Sequence, residues 1–233
     1  MSAFILTMAV VNLTQYIASS GLCSRRAAEE LIRSGHVKVN GALAVLGQKV
    51  DAVTAKVSVS GKIIHPATQK VYYLVNKPLG YVCTTKDRHA DKKVIDLVPK
   101  NPKVWPVGRL DKDSHGLVIL TNDGELTNRL THPSFIHEKE YLLTLERPFS
   151  PELLLKLKQG VKLEEGLAKA DTVKKVSPTK LSIVVHQGWN RQIRRMLGAC
   201  GYRVVDLVRV RVGKMRLGEL REGKYKEIKI TNF

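Results

Sequence analysis

The segment Val107-Gly108-Arg109-Leu110-Asp111-Lys112-Asp113-Ser114-His115-Gly116-Leu117 constrains the fold of this chain more than any other. The apolar run Leu117-Val118-Ile119-Leu120 follows at once and reads as a buried strand. Asp and Gly on both sides of Ser114 mark a turn rather than a helix interior. The chain therefore delivers a carboxylate, Asp111, on a short loop held against a core strand. Such a loop can position a catalytic acid or nucleophile firmly. Taken alone, Asp111 reads more readily as the cap of a turn, so other segments have to decide.

The charge balance narrows the partners. With 39 Lys and Arg against 21 Asp and Glu, the 233 residues carry a formal net charge of +18, while 43% hydrophobic content supports a real core. A folded chain this basic is expected to meet a polyanion, nucleic acid first. No long uncharged apolar run suggests a membrane span, and the cations are not gathered on one amphipathic helix. Met1 to Val11 lacks a basic leader and reads as an extension, not a signal peptide, so a cytoplasmic protein is expected. Cys23, Cys83 and Cys200 are widely separated and read as reduced, half-buried thiols, and the seven histidines form no ligand cluster. No metal and no cofactor are expected.

Residues 1–10 are expected to form the extension, 11–65 a small first domain, 66–70 a linker and 71–233 a second domain. In the first, Leu13, Tyr16 and Ile17 fall at helical spacing. Gly21 stops that helix and Ser24 caps a second over Arg25 to Arg33, with Ala27, Ala28, Leu31 and Ile32 inward. Val37-Lys38-Val39-Asn40-Gly41 predicts a tight hairpin, and Val57-Ser58-Val59 another short strand. In the second domain, strands are predicted at 71–76 (ended by Lys77-Pro78-Leu79-Gly80), 117–121, 141–145, 180–186 and 204–212. Helices are predicted at 125–130, 151–159 and 190–199, the middle one opened by Pro151 and closed by Gly160. Strands and helices without regular βαβ alternation argue for an α+β fold with a mostly antiparallel mixed sheet.

Cys23-Ser24-Arg25-Arg26-Ala27-Ala28-Glu29-Glu30-Leu31-Ile32, followed by Gly35-His36-Val37-Lys38-Val39-Asn40-Gly41, resembles the S4-type RNA-binding domain, a small α/β module. The resemblance implies that Arg25, Arg26, Arg33 and Lys38 contact RNA. Without it they would read as a solvated surface.

Three segments of the second domain belong together. They are Gly108-Arg109-Leu110-Asp111, then His137-Glu138-Lys139-Glu140-Tyr141-Leu142-Leu143, then Gln187-Gly188-Trp189-Asn190-Arg191-Gln192-Ile193-Arg194-Arg195-Met196. Helical spacing places Arg191, Arg194 and Arg195 on neighbouring faces, with Ile193, Met196 and Leu197 toward the core. Together they resemble the RsuA-type branch of the pseudouridine synthases, which groups synthase A for small-subunit rRNA with synthases B, E and F for large-subunit rRNA. The S4-like module comes first in that branch, as it does here. Lys77-Pro78-Leu79-Gly80, Thr121-Asn122-Asp123-Gly124 and His132-Pro133 also match.

What the resemblance implies is the isomerisation of uridine in RNA without metal or organic cofactor. Asp111 is implied as the attacking or assisting carboxylate, Arg194 as its charge partner and Tyr141 as the active-site tyrosine that stacks on the flipped base. The target uridine has to leave its stack to meet Asp111. Arg109, Lys139, Asn190, Arg191, Gln192 and Arg195 are candidate RNA contacts, with Arg209, Arg211 and Lys214 as further candidates for the RNA backbone. Asp113 is the rival carboxylate. Two carboxylates two residues apart suit a metal-dependent nuclease or a glycosidase pair, but Lys112 intervenes and no third acid is near.

One departure stands out. Gln187-Gly188-Trp189 replaces the Glu-Gly-basic sequence common in the branch, and Trp189 suits either stacking on RNA or packing. Gln187-Gly188, Thr84-Thr85-Lys86-Asp87 and His137 to Tyr141 look closest to the F type of the branch. Gly124-Glu125-Leu126 and Asn128 to Pro133 look closer to the B type. The expected substrate is ribosomal RNA, 23S favoured near its catalytic centre, free or within a pre-ribosomal particle, and the expected protein is a monomer. The alternatives are a uridine of 16S rRNA or of a tRNA anticodon loop and, from another class, a noncatalytic RNA-binding assembly factor.

Overall fold

The computed structural model describes residues 10–67, 69–85, 91–132, 135 and 137–230. Most of the expected N-terminal extension, Thr68 of the linker, and the motif residues Lys86, Asp87 and Pro133 lie outside that set. The chain divides into two compact units. One comprises residues 1–70 with 101–104 and 122–124, and the other the remainder.

The first unit begins with strand β1 (Val10–Asn12), which pairs with β4 (Lys49–Asp51). The extension expected over residues 1–10 therefore ends in a strand at Val10, because Val10 and Val11 find ladder partners in Asp51 and Val50. Helices α1 (Leu13–Ser19) and α2 (Arg25–Arg33) follow, the second capped where expected, by Ser24 Oγ accepting from the Ala27 N–H at 3.3 Å. A four-stranded antiparallel sheet has the order β3 (Ala42–Leu43), β2 (Val37–Val39), β5 (Val57–Val59), β6 (Lys62–Ile64). Asn40-Gly41 closes the β2–β3 hairpin with φ of 51° and 89°, the two positive values that such a turn demands. Ile17, Ala28, Ile32, Val37, Val57 and Val59 form the core. Arg25, Arg26, Arg33 and Lys38 stay exposed.

The second unit is built on a nine-stranded sheet among the described residues. Its central strands, from one edge, are β13 (Thr172–Lys175), β14 (Lys180–Val185), β10 (Lys139–Leu145), β15 (Val204–Val212), β9 (His115–Thr121), β7 (Tyr72–Lys77) and β17 (Tyr225–Glu227). Strand β8 (Trp105–Val107) adds to β9, and β16 (Met215–Arg216) to β15. Every pairing is antiparallel except that of β15 with β9. The α+β character and mostly antiparallel sheet are as expected.

Helix α3 is Gly124–Thr131, α4 Pro151–Gln159 and α5 Gln192–Ala199, and β11 (Val161–Leu163) and β12 (Gly166–Ala168) form a separate hairpin. Leu153 and Leu157 of α4 and Ile193, Met196 and Leu197 of α5 cover Leu143, Leu181, Ile183 and Leu207 of the sheet. Leu126 and Leu130 of α3 share a second cluster with Leu117 and Ile119 of β9.

The edges of the elements differ from the sequence pattern at points that matter for the site. Helix α5 starts at Gln192 rather than 190, because Arg191 takes a left-handed conformation at φ 49° and the Gln192 N–H closes a turn onto the Trp189 carbonyl. Strand β10 starts at Lys139, two residues before Tyr141, since Lys139 and Glu140 already pair with Val185 and Val184. Cys83 is buried, not half-buried.

Candidate active site

Asp111 lies on the loop that enters β9, and the structure holds this loop from four directions. Beneath it, the guanidinium of Arg209, a residue only 3% exposed on β15, donates to the carbonyls of Leu117 at 2.7 Å and Arg109 at 3.2 Å. On one side, the thiol of Cys83 accepts from the Leu110 N–H at 3.4 Å. The Gly80 N–H, from the turn Lys77-Pro78-Leu79-Gly80, donates to the Lys112 carbonyl at 2.8 Å. From α5, Arg194 donates to the Asp113 carbonyl at 2.6 Å, and Arg191 makes a two-pronged bond to the Asp113 carboxylate at 2.8 and 2.7 Å. The loop itself turns through the Ser114 N–H, which donates to the Asp111 carbonyl at 3.1 Å.

Backbone or carboxylate groups of residues 109, 110, 112 and 113 are thus tied down. The half-buried Asp111 carboxylate accepts no hydrogen bond and joins no ion pair among the described residues. A side chain held by its neighbours yet free at its own oxygens suits attack or proton transfer on a bound molecule.

The expected pairing of Arg194 with Asp111 is not what the free protein contains. Arg194 directs its donors to the carbonyls of Val204 (2.9 Å) and Asp113, and its Nε lies 3.5 Å from the Asp113 carboxylate. Asp113, the rival carboxylate, is the ion-pair partner of α5. The hydrogen bond from Arg191 holds its carboxyl below the ordinary carboxylate range, against the opposing effect of partial burial.

Lys77 is fully buried, and burial pushes its ammonium down from the ordinary lysine value, offset in part by the thiol of Cys83 and then by Asp111 and Asp113. Its Nζ donates to the carbonyls of Pro78 at 2.9 Å and Tyr81 at 2.8 Å, so it fixes the turn that carries Gly80. The sequence marked Lys77 as the end of a strand and as part of a motif matching the branch, with no role for its side chain. The available signal was a lysine at the end of the otherwise buried strand β7, directly before Pro78.

Tyr141 is reached across the sheet. It pairs with Ile183 on one side and Arg209 on the other, while Arg209 pairs with Gly116 of β9. Two strand spacings, roughly 10 Å of backbone, separate Tyr141 from the strand that Asp111 enters. Its ring is half-buried against the core cluster beneath α4 and α5.

The remaining candidates divide. Arg109 and Asn190 are exposed. Gln192 does not suit the RNA contact expected of it: it is 4% exposed, accepts from the Trp189 N–H at 3.2 Å and donates to Gln187 at 2.8 Å. Arg195 is engaged by both oxygens of Glu165 at 2.8 and 2.6 Å. Lys139 donates to the His186 carbonyl at 3.2 Å, and burial, then the charge of Arg209, pushes its ammonium down. Arg209 is a buried brace and not a backbone contact, and Arg211 is paired with Glu140 and Glu138 at 2.9 Å each. Lys214 is exposed. Trp189 packs against the core cluster, 3.6 Å from where a Cβ on Gly166 would lie. Among the described residues no group of His, Cys, Asp or Glu is placed to hold a metal ion.

The family model for RNA pseudouridylate synthase matches residues 71–199, the span holding Asp111, Tyr141 and Arg194, and that for the S4 domain matches residues 11–52. The chain belongs to the RNA pseudouridine synthases. It is 40% identical to the dual-specificity RNA pseudouridine synthase RluF of Salmonella typhi, over 96% of this chain and 77% of that one. It is 39% identical to the ribosomal large subunit pseudouridine synthase B of Bacillus subtilis, over 93% and 91%. Among solved structures, a pseudouridylate synthase superposes with a TM-score of 0.68 at 28% identity, covering 94% of this synthase and 96% of its own chain. The synthase is an isomerase acting on RNA, with its S4 module ahead of the catalytic fold.

Proposed function

We propose that this synthase converts a specific uridine of 23S ribosomal RNA, near the peptidyl-transferase centre, into pseudouridine, with Asp111 as the acting carboxylate. The observation that carries the reading is the Asp111 loop, clamped at its neighbours and open at its own oxygens. The relative named ribosomal large subunit pseudouridine synthase B supports RNA of the large ribosomal subunit as substrate.

In the proposed reaction the target nucleotide leaves its stack, which costs a few kcal/mol, offset by stacking on Tyr141 and by phosphate contacts. Asp111 assists departure of the base by attack or by stabilising the positive charge that develops as the bond from uracil N1 to the ribose breaks. The base turns, its C5 bonds to the ribose carbon that N1 left, the C5 proton is removed and N1 takes up a proton, so the product is an isomer of the substrate. Arg194 reaches Asp111 only if its bonds to Asp113 rearrange when RNA binds. Arg109, Asn190, Arg191 and the exposed cations of the S4 module hold the RNA backbone. The synthase works as a monomer in the cytoplasm, on free rRNA or on an assembling particle, and no helix among its described residues is long and apolar enough to cross a membrane.

The test is to map pseudouridines in 23S and 16S rRNA and in tRNA from cells lacking the gene, then restore wild type or Asp111→Asn. Loss of one 23S site, recovered only by wild type, is expected. A lost site in 16S rRNA or tRNA alone would move the substrate, full recovery by Asp111→Asn would move the chemistry to another residue, and no lost site at all would leave a noncatalytic RNA-binding role.

A further inference from the structure

A groove of about 450 Å³ opens beside α5, lined by Arg191, Arg194, Gly198, Tyr202, Arg203 and Glu146 among others. Three features set it apart from ordinary surface. Its lining is cationic: Arg191 and Arg194 share the carboxylate of Asp113 outside the groove, and Arg203 faces only Glu146. The pair within it, Arg203 with Glu146 at 3.9 Å, is loose and solvent-exposed, Arg203 being 77% accessible, so an incoming anion displaces little.

The second feature is Gly198. It lies in the last turn of α5, where glycine is less favourable than alanine, and a Cβ built there would meet nothing within 4 Å. Packing therefore does not require a glycine at this position. Gly201 differs: it sits at φ 80° where the chain leaves the helix, a conformation that favours glycine. The lack of a side chain at 198 keeps the groove floor open. The third feature is Arg194 Nε, which is enclosed and has no aligned hydrogen-bond acceptor.

The groove also adjoins the candidate active site. Arg191, just before α5, and Arg194 within it line the groove and grip Asp113, two positions from Asp111. We propose that this groove is a second RNA subsite, which takes a backbone phosphate and its nucleoside next to the target uridine. The phosphate sits among the guanidinium groups of Arg203, Arg191 and Arg194, and the nucleoside lies over Gly198. The proposal rests on the reading that the synthase acts on ribosomal RNA.

The experiment measures binding of the full chain to in vitro transcribed 23S rRNA across a salt titration, beside pseudouridine formation by the wild type. Arg203→Gln should lower the salt slope by about 0.7–0.9, one phosphate contact. Gly198→Leu fills the groove and should weaken binding several-fold while its thermal midpoint stays at or above that of the wild type, which rules out misfolding. Glu146→Gln should act in the opposite direction and tighten binding. If Gly198→Leu, folded, binds with wild-type affinity and slope while the wild type forms pseudouridine, the groove is not a subsite, even if Arg203→Gln weakens binding from outside it. A wild type that forms no pseudouridine in this RNA overturns the substrate reading instead.

Discussion

At the scale of single residues, Asp111 and Asp113 differ by what surrounds them. Asp111→Asn keeps the shape and removes the charge, so single-turnover pseudouridine formation should vanish while RNA binding survives. Near wild-type turnover in that variant would move the chemistry elsewhere. Sequence alone predicts a mild effect for Asp113→Asn, but its grip on Arg191 changes that expectation. Loosening the loop by a fraction of an ångström to 1 Å costs up to about 10²-fold in turnover. Arg191→Ala should cost about as much, and the double variant little more, because the two groups form one clamp.

The same pair sets a pH signature. The hydrogen bond from Arg191 makes the Asp113 carboxyl titrate below the ordinary carboxylate range when folded, so the stability it contributes is present above that range and is lost as the pH falls through the folded titration. The melting temperature of Asp113→Asn should therefore lie below that of wild type near neutral pH and converge with it in strong acid. A constant gap across that range would show that the clamp is not ionic. For Tyr141, Ala should be nearly inactive. Phe separates the hydroxyl from the ring: activity close to wild type assigns stacking, and loss of turnover at unchanged affinity assigns proton transfer.

At the scale of elements, the approach of β9 to β15 determines where the loop lies. A Cβ on Gly116 would fall 2.7 Å from the backbone nitrogen of Arg209, with φ at 104°, so only glycine lets the two strands meet in parallel. Gly116→Ala should lower stability by about 2–4 kcal/mol, read by denaturant unfolding, and lower turnover with it as the Arg209 brace shifts. An alanine variant as stable as wild type would mean that the strands separate without cost. Strand β15 carries a second device. The ladder with β10 shifts register between Glu140 and Tyr141, which pair with Arg211 and Arg209, leaving Val210 as the extra residue. Bulges re-aim side chains in this way. Arg209 turns under the Asp111 loop, and Arg211 turns to Glu138 and Glu140 on the other face.

At the scale of the whole molecule, the net charge of +18 has to be divided between cations that are free and cations already used. Arg195, Arg209 and Arg211 are taken up by carboxylates or carbonyls within the fold. Arg25, Arg26, Arg33 and Lys38 of the S4 module are exposed. Replacing these four with Gln should flatten the salt dependence of rRNA binding by up to about 3 in slope, at 0.7–0.9 for each phosphate contact, while turnover at saturating RNA persists. An unchanged slope would place the RNA wholly on the catalytic unit.

The sequence by itself determined the elements whose causes are local. Ser24 caps α2 because its hydroxyl meets an N–H three residues on. Asn40-Gly41 turns because both residues accept positive φ, and Leu117 to Leu120 form a strand because nothing in the run is polar. The resemblance to the family named Asp111, Tyr141 and Arg194 as candidates, and they stand here as proposals. The Ser60-Gly61 turn between β5 and β6 was open to the same reasoning. What only the tertiary structure decided is the allocation of charged partners. Period-two alternation puts Arg209 and Arg211 on one face, and a bulge set by pairing with β10 separates them. Helical spacing leaves Arg191 and Arg194 without assigned partners, and the carboxylate they grip lies 78 and 81 positions away in the chain. A hydrogen bond acts over about 3 Å, and which groups come that close is settled by strand order and register, quantities that no local pattern contains.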